Sequence, residues 1–143
     1  MKDRKDRNPA ALDPKAKSDH IPDMEWLVIL HPAFDPEFDA LPPAVRDELL
    51  AALMVLRRMG PALGRPRVDT LEGSAFANMK ELRVQHRGQP WRFLFAFDPN
   101  RAAVVLTGGC KAGDGRFYRH HIRAADRRFA AHLETLKPER TKP

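Results

Sequence analysis

Eleven basic side chains lie in one third of this chain, between residues 80 and 128. Only four acidic residues share that segment, whereas residues 1–79 carry nearly balanced charge. A local positive excess of this kind suits a polyanion such as a nucleic acid. Arginine suits phosphate in particular, because its guanidinium is planar, permanently charged and able to bind two oxygens at once. The charge distribution therefore indicates a phosphate-binding surface in this segment.

Two of these arginines, Arg83 and Arg92, are predicted to lie together on one face of a sheet. The turn-forming residues at 87–90 indicate a four-residue hairpin loop, which places Val84 opposite Phe93. These two apolar side chains share one face, so the two arginines share the other. A second interpretation is an exposed sheet face on which basic side chains merely keep the edges soluble.

The next hairpin extends this alternation toward the end of the sheet. A four-residue loop at 98–101 sets Arg92 opposite Thr107 and Phe93 opposite Leu106. If the last strand continues past residue 109, Lys111 joins the face of the arginines. A Gly-rich loop is predicted to follow, and loops at strand ends commonly carry chemistry. Its candidate groups are Arg116, Tyr118, Arg119, His120 and His121.

Five strands and two amphipathic helices are predicted to position these groups. Apolar residues recur at helical spacing from Pro42-Pro43 to Gly60, and a second stripe runs from Ile122 to Leu136. The apolar sheet face is expected to receive the first helix. The predicted strands are 25–30, 67–71, 79–86, 91–97 and 102–108. The order β-α-β-β-β-β-α predicts the α+β class.

Composition predicts the domain boundaries. Residues 1–23 hold many charges and almost no large apolar side chains, so we expect a disordered leader. Residues 24–137 form the predicted folded domain, and 138–143 a flexible tail. Met24 directly precedes the first strand, which suggests that it is the true start. No apolar run is long enough to cross a bilayer and no secretory signal is evident, so we expect a cytoplasmic protein with no membrane partner.

The cysteine and histidine content argues against a metal site or a disulfide scaffold. The lone Cys110 cannot form an internal disulfide or a multi-cysteine zinc site. The adjacent His120 and His121 point apart, and no ligand spacing joins them to Asp114. We therefore expect no metal and no cofactor.

Four segments form a combination that is specific when taken together. They are MKELRV, PWRFLFAFDP, VVLTGGCKAGDGRFYRHHI and AADRRFAAHLETL. With them the chain resembles the RelE/ParE toxin superfamily over roughly residues 24–136, and most closely its HigB-like, phage-derived branch. The resemblance implies a small antiparallel sheet with helices packed on one face. For many members it also implies a toxin that cleaves mRNA on the ribosome.

The resemblance implies roles for individual residues. Arg83 matches the arginine that closes the ELR motif, and Arg92 matches the arginine of the following aromatic-Arg pair. Lys111 lies where relatives often carry paired lysines, although Ala112 replaces the second, and Tyr118 lies where many carry a catalytic residue. The predicted catalytic residues are Arg83, Arg92, Lys111, Tyr118 and His121. The predicted RNA-binding residues are Lys80, Arg87, Arg116, Arg119 and His120.

Metal-independent RNA cleavage needs a base for the 2′-hydroxyl, cations for the phosphorane oxygens and an acid for the 5′-oxygen. It yields a 2′,3′-cyclic phosphate. Arg83 and Arg92 are the expected phosphate clamp, and Lys111 would stabilise charge or act as the base. His120 or His121 would act as acid or base, unless both are ordinary surface residues. Tyr118 would stack on a base or orient the 2′-hydroxyl.

The resemblance also implies partners. They are a cognate helix-turn-helix antitoxin, the ribosome and mRNA. A heterotetramer of toxin and antitoxin is one assembly that the resemblance allows. Two other functions remain open at this point. One is a non-catalytic, ParE-like toxin that inhibits DNA gyrase, and the other is a degenerate family member that only binds its antitoxin.

Overall fold

The computed structural model describes residues 25–138. The predicted leader, the proposed start at Met24 and residues 139–143 of the predicted tail lie outside this part of the chain. The strands are β1 (Leu27–Leu30), β2 (Val68–Thr70), β3 (Lys80–His86), β4 (Gln89–Phe97) and β5 (Ala102–Cys110). The helices are α1 (Asp35–Asp39), α2 (Pro43–Met59) and α3 (Phe117–Thr135), with a 3-10 turn at Gly60–Ala62. None of these helices is long and apolar enough to cross a membrane.

The five strands form one mixed sheet in the order β1-β5-β4-β3-β2. The predicted α+β class and element order are confirmed, with the short α1 as an addition. The prediction of a wholly antiparallel sheet is wrong for β1, which runs parallel to β5. A parallel pair needs a long crossover, and the chain from α1 to β4 provides one here.

The core has two layers, because β4 is buried on both of its faces. Phe93 and Phe95 pack with the α2 residues Leu49 and Leu53 in one apolar cluster. The helix α2 begins after Pro42 and ends at Gly60, as predicted.

The opposite face of β4 is covered by α3. Leu94 and Ala96 pack there with Ala125 and Phe129 in a second cluster. The expectation that helices pack on one face only is therefore wrong, since α2 and α3 lie on opposite sides of the sheet. The physical reason is that the sheet has two apolar surfaces, and each needs a helix to exclude water.

The hairpin between β3 and β4 has a two-residue turn. Its residues Arg87 and Gly88 have φ angles of 52° and 76°, the positive values that a tight hairpin turn requires. Val84 consequently lies opposite Trp91, so the predicted four-residue loop and the Val84–Phe93 pair are wrong. The error of two residues left every side chain on its predicted face, because strand faces repeat every two residues.

A bulge interrupts the pairing of β4 with β5. Phe95 pairs with Val105 but Leu94 pairs with Thr107, so Leu106 is an extra residue in β5. Its carbonyl accepts a 2.7 Å hydrogen bond from Arg128 Nη1 of α3. The predicted pairs Phe93–Leu106 and Arg92–Thr107 are therefore wrong. Leu106 lies instead in the cluster under α3, and Arg92 lies opposite Gly109.

The last helix begins earlier than its apolar stripe indicated. Phe117 is buried at the first position of α3, and Asp114 Oδ1 accepts a 3.0 Å hydrogen bond from the backbone N–H of Arg116 just before it. Tyr118, His120 and His121 therefore lie in the first two turns of α3, and their predicted placement in a loop is wrong. A helical backbone holds them in a fixed relation to the sheet.

Two neighbouring glycines in β5 give a test of this register. A Cβ built on Gly108 would lie 2.7 Å from the carbonyl oxygen of Arg92 and closer still to the Phe93 ring. A Cβ on Gly109 would meet nothing closer than 3.6 Å. Overpacking typically costs about 1–3 kcal/mol, so we expect Gly108→Ala to lower the free energy of unfolding by that amount in urea titrations. Gly109→Ala is the matched control and should change it by less than about 0.5 kcal/mol; equal losses would contradict the bulged register.

Candidate functional site

Arg83 and Arg92 face each other directly across β3 and β4. Their side chains lie on the α3 side of the sheet, near the first turn of that helix. Arg83 is 30% exposed and Arg92 is 12% exposed, so both are partly accessible from solvent. Like charges opposite each other on neighbouring strands repel. The pair therefore requires negative charge close by.

A buried carboxylate, Glu81, supplies that charge. It is 3% exposed, and its Oε2 accepts a 3.0 Å hydrogen bond from Arg83 Nε. Its Oε1 accepts a 2.6 Å hydrogen bond from the Tyr118 hydroxyl and lies 3.8 Å from Arg92 Nε. Glu81 is absent from the predicted site, although a signal for it existed. It stands two residues before Arg83, and strand alternation places those two positions on the same face.

A second carboxylate, Asp69 of β2, holds the outer side of Arg83. Its Oδ2 lies 3.3 Å from Arg83 Nη2 and 2.8 Å from Arg65 Nη2. The hydrogen bond from Arg65 lowers the pKa of the Asp69 carboxyl, which keeps it negative. Arg83 is thus held between two acidic side chains that the sequence analysis did not place in the site.

Arg92 is held less completely than its partner. Its Nη1 donates a 3.1 Å hydrogen bond to the Trp91 carbonyl. Its Nε is buried and has no hydrogen bond within the described part of the chain. Buried donors are nearly always satisfied in proteins, so this N–H, which lies 3.8 Å from Glu81 Oε1, shows that the compensation of Arg92 is less complete than that of Arg83.

Tyr118 joins the helix to the clamp. Burial and the hydrogen bond to Glu81 raise the pKa of its phenol to about 12, so the hydroxyl stays protonated at neutral pH. Lys111 Nζ lies 5.3 Å from the centre of its ring, within the range of a cation–π contact. The backbone N–H of Lys111 donates a 2.9 Å hydrogen bond to the Pro90 carbonyl. The structure therefore places Tyr118 against the carboxylate that binds Arg83, and Lys111 against the ring of Tyr118.

His121 lies one turn further along α3. Its Nδ1 is 2.9 Å from Thr107 Oγ1, in a hydrogen bond whose direction follows the tautomer. The other ring nitrogen lies beside Gly109, since a Cβ built there would be 3.6 Å from Nε2. Gly109 is also the residue opposite Arg92. Gly109 is thus a neighbour of both Arg92 and the ring of His121.

Burial is the main reason that the pKa of His121 lies below its usual value. The neighbouring His120 and the more distant Arg128 lower this pKa further, while Glu37 and Asp114 oppose the shift. His121 is therefore neutral at physiological pH. In the tautomer whose Nδ1–H donates to Thr107 Oγ1, Nε2 carries no proton and can accept one.

The predicted RNA-binding residues do not gather around this site as one group. Lys80 donates to Thr70 Oγ1 at 2.8 Å and shares the strand parity of Leu82, which faces α2. Arg87 lies in the hairpin turn. The exposed residues at the start of α3 are Arg116, Arg119 and His120.

Among residues 25–138, no group of three or more His, Cys, Asp or Glu side chains is arranged to hold a metal ion. The site residues described above offer cations, a neutral imidazole and a phenol around a buried carboxylate.

Comparison with known proteins identifies relatives. A family model described as phage-derived, Gp49-like protein matches residues 36–130, which include every predicted site residue. A Mycobacterium tuberculosis chain named as toxin HigB2 is 50% identical over 99 residues, covering 66% of this chain and 49% of that relative. A second chain of that organism, named as toxin HigB3, is 46% identical over 102 residues, covering 71% of this chain and 88% of that relative. The chain thus spans about half the length of the first relative. No solved structure matches it.

The protonation of His121 can be measured by NMR titration of its imidazole. We expect a midpoint below 6.5, because burial and His120 lower the pKa. In His120→Asn the midpoint should rise but stay below 6.5, since burial is the larger cause. The unfolded chain binds this proton more readily than the folded one, so His121 should lower the free energy of unfolding as the pH falls below about 6.5. A midpoint at or above 6.5 in the wild type would contradict the buried placement of the ring.

Proposed function

The chain belongs to the Gp49-like family of phage-derived proteins, and we propose that it is the toxin of a toxin–antitoxin system that cleaves mRNA. The two curated relatives are both named as HigB toxins, and the resemblance to HigB-like toxins is thereby confirmed. The finer part of the proposal is that cleavage needs no metal, takes place on the ribosome and yields a 2′,3′-cyclic phosphate.

The observation that carries the proposal is the arginine pair beside a neutral histidine. Arg83 and Arg92 are opposite each other, and Gly109 is the strand partner of Arg92 and lies beside His121 Nε2. A phosphodiester bound by the two guanidinium groups next to Gly109 would meet the imidazole of His121. Positive groups fixed in advance stabilise the extra charge that develops on the phosphorane oxygens.

The proposed reaction needs two proton transfers, one from the attacking 2′-hydroxyl and one to the leaving 5′-oxygen. His121 Nε2 takes the proton of the 2′-hydroxyl, and the resulting 2′-oxygen attacks phosphorus. The bond to the 5′-oxygen breaks with its electron pair, and that oxygen receives a proton from a cationic donor. Lys111 is the candidate donor, because it is the ammonium group next to Tyr118. The products are a 2′,3′-cyclic phosphate and a 5′-hydroxyl.

Tyr118 has a different role in this proposal. With its pKa raised to about 12, the phenol holds its proton too tightly to serve as a base near neutral pH. Its ring and hydroxyl are instead suited to contact the RNA base or the 2′-hydroxyl. In this proposal Tyr118 therefore binds or orients the RNA and does not act as the base.

The remaining cations would attract RNA without selecting its sequence. Arg87, Arg116, Arg119 and His120 are exposed, in the β3–β4 turn and at the start of α3, where they fit phosphate contacts. Sequence selection would then come from the ribosome, which presents the mRNA. The proposed partners are therefore the ribosome, mRNA and a helix-turn-helix antitoxin able to form a heterotetramer, in the cytoplasm.

The first test is primer extension on a reporter mRNA in a reconstituted translation reaction, with and without ribosomes. The double variant Arg83→Ala/Arg92→Ala should cut at least about 10²-fold more slowly, the usual effect of removing one charge-stabilising donor. Arg58→Ala is the matched control, because Arg58 is exposed at the end of α2, on the other side of the sheet. It should cut as the wild type does.

Two results would overturn the proposal. One is cutting by the double variant at the rate of the wild type. The other is intact mRNA in every reaction although the chain still arrests growth in cells, which would direct attention to DNA gyrase and a non-catalytic toxin.

A further inference from the structure

We propose that Glu81 is the positioning residue of the site, and that it holds both arginines and the α3 helix in the arrangement that receives a phosphate. This inference rests on the proposed ribonuclease function for its activity readout. Its structural readout is independent of that function.

Burial determines which kind of role Glu81 can have. At 3% exposure, its carboxylate is closed off from solvent and from an RNA strand on the surface. A buried carboxylate is costly unless charged partners and hydrogen bonds compensate it. Glu81 has such partners in Arg83 and Tyr118, with Arg92 close by. It therefore acts on the substrate through these side chains and not by contact.

The hydrogen bond to Glu81 helps to fix the orientation of the Arg83 guanidinium. Arg83 uses Nε for Glu81 and Nη2 for Asp69. A guanidinium has five N–H groups in one plane, so two anchored bonds fix that plane and leave the other donors for a ligand. A clamp that is already oriented loses little freedom when phosphate binds.

The same carboxylate locates the helix that carries the proposed base. Tyr118 donates to Glu81 Oε1 at 2.6 Å, and His121 follows three residues later on α3. The hydrogen bond thus joins β3, which carries Arg83, to the first turn of α3. Loss of the Glu81 charge should make the orientation of the two arginines less fixed. It should also make their distance from His121 more variable.

The chain offers a direct spectroscopic probe, because Tyr118 is its single tyrosine. Ultraviolet absorbance of tyrosinate therefore reports on this hydroxyl alone. In Glu81→Gln the pKa of Tyr118 should fall from about 12 toward its usual value of 10, since the carboxylate is one of the causes that raise it. It should stay above 10, because burial remains. In Asp69→Asn, which removes a contact to Arg83 but none to Tyr118, the titration should not change.

The activity readout uses the same variants in the primer-extension reaction. Glu81→Gln keeps the volume of the side chain, and we expect its cleavage rate to fall by about 10²-fold, the typical effect of a displacement of about 1 Å in a reacting group. Asp69→Asn should reduce it less, because Glu81 still holds Arg83. If Glu81→Gln does not fold, Glu81→Asp retains the charge on a shorter side chain and should show a smaller fall in both readouts.

The outcomes separate this inference from the proposed function. An unchanged Tyr118 titration in Glu81→Gln would overturn the inference, and so would a shifted titration with wild-type cleavage. If the wild type cuts no RNA, the proposed function fails. The positioning role is then judged from the titration and from the NMR signal of the Arg83 Nε–H, which should lose its protection from solvent exchange in Glu81→Gln and keep it in Asp69→Asn.

Discussion

The burial of β4 on both faces is the constraint on which the rest of this structure depends. Its residues from Phe93 to Ala96 are all buried, so a helix must cover each side of the sheet. The helix α2 covers the side of the phenylalanines, and α3 covers the side of Leu94 and Ala96. Because α3 begins only at Phe117, the sheet is less completely covered near that end, and polar side chains can occupy it. The candidate site thus lies where the apolar layer between the sheet and α3 ends.

Charge compensation explains how two arginines can occupy such a place. Arg83 and Arg92 would repel each other if they stood alone between apolar layers. Glu81 and Asp69 supply two negative charges at hydrogen-bond or ion-pair distance. With Arg65, which also binds Asp69, the cluster holds three positive and two negative charges, and Arg83 keeps N–H groups that bind neither carboxylate. An incoming phosphate therefore meets donors that are already oriented.

The spacing of apolar residues made the element order and the class predictable from the sequence. Strand alternation made the faces of the two arginines predictable. The loop length was not, because Arg87 had to adopt a positive φ that a non-glycine residue rarely takes. The bulge at Leu106 depends on a tertiary contact, since Arg128 of α3 binds the carbonyl that it frees. Arg128 counts among the basic residues of segment 80–128, but its hydrogen bond to the Leu106 carbonyl gives it a structural role. Strand alternation already places Glu81 on the face of Arg83, but its contact with Tyr118 depends on where α3 begins, which the sequence pattern did not indicate.

The parallel pairing of β1 with β5 has a consequence for how this chain acquires its shape during synthesis. Leu27 finds its strand partner only at Ala102, and chains dominated by such distant contacts fold slowly. The leucines of α2 emerge early, but the strands that bury them follow tens of residues later. The nascent chain must therefore keep an apolar helix surface until β4 and β5 have been made. Because both apolar layers share β4, neither can be completed before that strand has been made.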